Sequence, residues 1–72
     1  MKYMDDYDGQ PIWYALLVDE DDDDWGTGTR SYSNALEWLR NLQKEKPNAY
    51  IAVIADGDDP ICIDTIHNPD EG

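Results

Sequence analysis

Pro11-Ile12-Trp13-Tyr14-Ala15-Leu16-Leu17-Val18 is followed at once by Asp19-Glu20-Asp21-Asp22-Asp23-Asp24. Seven apolar residues rich in aromatic and β-branched types, bounded by a proline and an acid run, predict a buried strand. The six consecutive acids that follow cannot be buried, so they predict a solvated loop or strand extension. The Gly26-Thr27-Gly28-Thr29 segment then leads toward a helix, with room for a short extra strand near 27–32.

The helix is read from Asn34 to Lys46. At 100° per residue, Ala35, Leu36, Trp38, Leu39 and Leu42 fall on one arc, with Glu37, Arg40, Asn41 and Lys44 opposite. Ser33 or Asn34 is the expected N-cap, Glu37 sits at capping-box spacing from Asn34, and Pro47 is the stop. Lys44 and Lys46 complement the carbonyl end. Ala49 to Ala55 reads as a second apolar strand, Asp56-Gly57-Asp58-Asp59-Pro60 as a turn, and Ile61 to Ile66 as a third, half-exposed strand. The expected fold is therefore α+β: one domain over 1–72, ordered β-α-β-β, with one helix on a three-stranded sheet. Residues 1–10 and 68–72 are expected to be loosely ordered tails.

Apolar residues occupy both faces of the first strand. Trp13, Ala15 and Leu17 point opposite to Ile12, Tyr14, Leu16 and Val18. One helix covers one face. The other needs Tyr3 and Tyr7, a second copy in a homodimer, or a partner to cover it. Trp13, Tyr14, Trp38 and Tyr50 take core positions by periodicity. Trp25 does not, and it either folds back to pin its loop or anchors a partner.

Charge narrows the function. The 72 residues carry 17 Asp and Glu against 5 Lys and Arg, a net charge of −12. Direct nucleic-acid binding needs a basic footprint and is disfavoured, as is docking on anionic membrane. The longest apolar run is far short of the roughly 20 residues that span a bilayer. Met1 to Asp8 holds three acids and no apolar core of a signal peptide, and Cys62 is alone, so a reducing, cytoplasmic setting is expected.

No chemistry-bearing motif is complete. EF-hand spacing from Asp19 puts Asp24 where glycine is required, and spacing from Asp21 puts Trp25 at a ligand position, so no metal site is expected. Gly26 to Ser31 lacks the third glycine and the lysine of a phosphate loop, and six upstream acids would repel phosphate. Strict alternation puts Cys62 and His67 on opposite sides of the last strand, leaving His67 without a nucleophile. No catalytic residue, metal or cofactor is assigned.

Acidic surface of this kind suits a decoy for nucleic acid, a module for a basic protein, or a chain whose charge keeps it soluble. In size, charge and compact α+β pattern the chain resembles the small acidic anti-defence proteins of phages and mobile elements, anti-CRISPR proteins and anti-restriction DNA mimics. Asp19 to Asp24, Asp56, Asp58 and Asp59 carry the resemblance. It implies a non-catalytic inhibitor occupying the basic nucleic-acid-binding surface of a nuclease or effector complex. The alternative is a small interaction module for another basic protein.

The expected partner-binding residues are Asp19, Glu20, Asp21, Asp22, Asp23, Asp24, Trp25, Asp56, Asp58 and Asp59. If the first two long strands run parallel, as a right-handed crossover requires, both acidic groups emerge at one end of the sheet as a single rim.

Overall fold

The computed structural model describes the backbone of residues 6–7 and the whole of residues 9–70. Tyr3 and the Tyr7 side chain, named above as covers for the second face, lie outside the described residues. In chain order the elements are β1 (Asp6–Tyr7), β2 (Gln10–Leu17), β3 (Gly28–Thr29), α1 (Tyr32–Leu42), β4 (Tyr50–Ala55) and β5 (Ile61–Ile66). The class is α+β, with the short extra strand present as β3.

β2 is the centre of the sheet because it is apolar on both faces. On one edge it pairs antiparallel with β4, from Ile12 opposite Ala55 to Leu17 opposite Tyr50. β4 pairs antiparallel with β5. The other edge of β2 takes β1 and β3, with Tyr14 opposite Thr29 and Ala15 opposite Gly28. Gly28 is required there: a Cβ would lie 2.1 Å from the Tyr14 carbonyl oxygen.

The antiparallel pairing of β2 and β4 corrects the parallel arrangement on which a single acidic rim depended. The cause is β3. It reverses the chain once more before the helix, so the crossover joins β3 to β4, which run parallel on either side of β2. The crossover rule therefore applies to a different pair of strands.

α1 begins at Tyr32, and its cap lies two or three residues before the expected Ser33 or Asn34. Ser31 is the N-cap, its Oγ accepting from the Asn34 N–H at 3.3 Å, so Glu37 is not in capping-box position. The carbonyl end is closed by Gln43, whose Nε2 donates to the Ala49 and His67 carbonyls at 2.9 and 2.8 Å. Lys44 and Lys46 lie beyond the helix. Ala35 and Leu39, both fully buried, pack on Ile12, Tyr14 and Leu16 of β2 and Ile51 and Val53 of β4. Trp38, expected in this core, is 45% exposed. It is the neighbour of Leu39 and so lies about 100° around the helix from the stripe that meets the sheet.

The second face has its own core. Ala15, Leu17, Ala52 and Ile54 are all at most 2% exposed, and Trp13, Tyr50 and Trp25 pack over them. Trp25 reaches back from the loop after β2, and its carbonyl accepts a hydrogen bond from Trp13 Nε1 at 2.8 Å.

A bulge in β5 breaks the expected alternation. Val53 faces Asp64 and Ile54 faces Cys62, so Ile63 is passed over. Ile63 and Ile66 then pack on the same core. Cys62, opposite Ile54, and His67, stacked on Tyr50, share the second face rather than opposite ones. Segment 68–70, read as a loose tail, is held: Pro69 is buried and Arg40 pairs with Asp70 at 2.8 Å. Among the described residues no helix is long and apolar enough to cross a membrane.

Candidate functional site

The acid run is a folded loop, built by its own carboxylates. Asp19 Oδ1 accepts from the Asp21 N–H at 2.9 Å, and Asp22 Oδ1 from the Asp24 N–H at 3.1 Å. Asp24 Oδ1 accepts from the Gly26 N–H at 2.9 Å. Each bond skips one residue, the turn that short acidic side chains favour. Asp22 also reaches back, its Oδ2 accepting from the Val18 N–H at 3.1 Å. The bonds from Val18 and Asp24 favour the charged form and hold the Asp22 carboxyl below its ordinary value of 3.8.

Three of the six acids thus shape the loop, and the other three are displayed by it. Among the described residues the side chains of Glu20, Asp21 and Asp23 make no hydrogen bond or ion pair, and all three are exposed. They lie at the end of the sheet where β2 stops and β4 starts. There Asp19, Glu20 and Asp21 face Pro47, Asn48 and His67 across an open groove of about 610 Å³. The rings of Tyr50 and His67 stack beside it with centroids 4.9 Å apart. Burial, then the charges of Cys62, Glu20, Asp22 and Asp19, push the Tyr50 phenol up from its ordinary value.

The hairpin acids are elsewhere. Asp56 follows Ala55, which pairs with the start of β2, whereas Asp19 follows the end of β2. The six residues of β4 separate the two groups by about 20 Å at roughly 3.4 Å per residue. The nine carboxylates therefore do not merge into one rim, because β2 and β4 are antiparallel. Asp56 is also partly neutralised, with Oδ2 2.8 Å from Arg30 Nη2. Asp58 and Asp59 remain exposed at the hairpin turn.

Arg30 is the residue that sequence reading missed. Its guanidinium lies 5.4 Å from the Trp13 ring centroid, pairs with Asp56, and donates to the Ile12 carbonyl at 3.4 Å. It joins the strand before the helix to the hairpin at the far end of the sheet. One signal was available: Arg30 is the only basic residue between Lys2 and Arg40. Trp25, placed among the partner-binding residues, is half-buried on the second face rather than extended into solvent.

Among the described residues no three His, Cys, Asp or Glu side chains are grouped so as to hold a metal ion. No protein-family model, curated protein or solved structure matches this chain. The fold and the surface define a small α+β domain with a preshaped acidic loop.

Proposed function

We propose that this protein is a non-catalytic binding protein that occupies a basic surface, of the kind that otherwise holds nucleic acid, on a defence nuclease or effector complex. The observation that carries the reading is the loop 19–24. Asp19, Asp22 and Asp24 fix its backbone by hydrogen bonds, and Glu20, Asp21 and Asp23 are left for a partner. A preformed loop costs less ordering on binding than a mobile acid tract. With a net charge of −12, a basic partner is drawn toward it from a distance.

The two acidic groups lie about 20 Å apart, a span over which duplex DNA carries a charge per roughly 1.7 Å. The two groups together hold nine carboxylates, fewer than the roughly 12 charges of such a span. Steric occupation guided by charge is therefore the favoured mode, over imitation of phosphate positions one by one. The same loop also suits a module that binds a basic partner with no nucleic-acid function, in the cytoplasm, and competition separates the two readings.

Purified nucleases and guide-RNA effector complexes should be titrated with the labelled protein, then with duplex DNA or guide RNA. Binding that nucleic acid displaces supports occupation of a nucleic-acid channel. Binding to a basic protein that saturating nucleic acid leaves unchanged contradicts it and favours the interaction module.

A further inference from the structure

On the second face, Trp13, Trp25, Ile54 and Pro60 form an apolar groove of about 350 Å³ that ends on Arg30 and Asp56. It is at the small end of the roughly 300–1,000 Å³ typical of ligand pockets and suits one side chain better than a cofactor. Its chemistry is displayed by the chain itself. Arg30 sits over the Trp13 ring and is accepted by Asp56 Oδ2, the combination of aromatic face and carboxylate that guanidinium favours over ammonium. Only one oxygen of that carboxylate is used, for Asp56 Oδ1 takes no hydrogen bond among the described residues. The half-buried Trp25 and the exposed Pro60 are two further flat surfaces in the same groove.

We infer that this groove is the anchor for an arginine side chain of the basic partner. The guanidinium would stack on Trp25 and donate to Asp56 Oδ1, with its stem lying along Pro60 and Ile54. The excess of acids over bases supplies the long-range attraction, and in the groove Asp56, already paired with Arg30 through Oδ2, offers its remaining oxygen, Oδ1. This rests on the proposed binding of a basic partner and adds a specific contact to it. The loop 19–24 steers, and the groove selects arginine over lysine.

The three tryptophans make the test direct, because Trp38 is on the helix and outside the groove. Indole N–H signals of ¹⁵N-labelled protein are followed while acetyl-Gly-Arg-Arg-Gly-amide or acetyl-Gly-Lys-Lys-Gly-amide is added at low salt. The inference requires shifts at Trp13 and Trp25 with Trp38 unmoved, and tighter binding of the arginine peptide by about threefold or more. Asp56→Asn should weaken the arginine peptide by about tenfold. Trp25→Leu, which keeps an apolar cover on the second face, should remove the preference for arginine, the Ile54 methyl signals reporting that the fold is kept.

Shifts confined to amides of 19–24, with the Trp13 and Trp25 indoles still, overturn the groove and leave charge steering intact. Absence of any shift at millimolar peptide overturns both. Groove shifts that persist when Glu20, Asp21 and Asp23 are neutralised, with association to a protein partner also unchanged, support the groove and remove the steering role.

Discussion

The indole N–H of Trp13 donates to the backbone carbonyl of Trp25 across 2.8 Å, tying the centre of the sheet to the end of the acidic loop. Among the described residues the ring of Trp25 packs with Trp13 and Tyr50 over Ala15, Leu17, Ala52 and Ile54. Part of that cover thus comes from the loop that presents the charge. Stability and the proposed binding surface therefore share one segment.

Trp25→Ala should destabilise the domain by about 2–4 kcal/mol, since it uncovers an apolar core and leaves a cavity on the sheet. Trp38→Ala, at a position 45% exposed on the helix, should cost less than about 1 kcal/mol. Urea unfolding of the two variants measures the order. A larger loss at Trp38 would contradict the assignment of the second face.

Gly28 tests the strand that inverts the topology. A Cβ at Gly28 would meet the Tyr14 carbonyl oxygen at 2.1 Å, whereas at Gly26 the nearest atom is an Asp24 side-chain oxygen at 3.0 Å. Gly28→Ala should cost about 3 kcal/mol and expose the Leu16 amide to exchange. Gly26→Ala should be milder, because a side chain can move. Equal effects would show that β3 does not pair as described.

Asp22 links the loop to pH. Its folded carboxyl is held below the ordinary value by the Val18 and Asp24 amides. A depressed pKa contributes stability that is present above the unfolded value, near 3.9, and lost as pH falls through the lower folded value. Asp22→Ala should therefore lose loop order at pH 7, and its difference from the native chain should shrink as pH falls below the unfolded value and through the lower folded one. Asp22→Asn keeps an acceptor oxygen and should be milder. A difference independent of pH would show that the charge of Asp22 is not what the amides hold.

Salt should stabilise the protein. Exposed pairs such as Arg30–Asp56 and Arg40–Asp70 contribute about 0–1 kcal/mol each and weaken with screening. The opposing repulsion among 17 acids against 5 bases is screened over the same Debye length of about 10 Å at 0.1 M. Repulsion is the larger sum, so the Tm should rise from 10 to 300 mM NaCl. A Tm that falls would mean the ion pairs dominate.

Much of the fold was legible because its signals are periodic. The stripe Ala35, Leu39, Leu42 marks the helix, and the apolar runs 12–18 and 49–55 mark the central strands. What was not legible depends on short or aperiodic features. β3 is two residues, Gly28 and Thr29; a short strand is expected near 27–32, but nothing in those residues says that it pairs with β2, and that pairing decides whether β2 and β4 run parallel. The bulge at Ile63 shifts parity by one, so Cys62 and His67 could not be placed by counting. Within Asp19 to Asp24 the composition is nearly uniform, and only hydrogen-bond geometry separates the acids that shape the loop from those that face outward. Arg30 carried a signal in its isolation among acids, but nothing in its neighbours named Trp13 or Asp56 as its partners.

The most direct measurement is the association rate with the nuclease or effector that the protein is proposed to occupy, compared across three sets of charge removal. Glu20→Gln, Asp21→Asn and Asp23→Asn together spare Asp19, Asp22 and Asp24 and so keep the loop folded. This variant should associate about tenfold more slowly at low salt, with dissociation changed by less than about threefold. Asp58→Asn with Asp59→Asn, about 20 Å away, should have a smaller effect, and Glu37→Gln with Glu45→Gln on and after the helix should have almost none. An unchanged association rate for the loop variant, alongside a marked loss for the helix variant, would contradict the loop as the steering surface and place the interface on the helix.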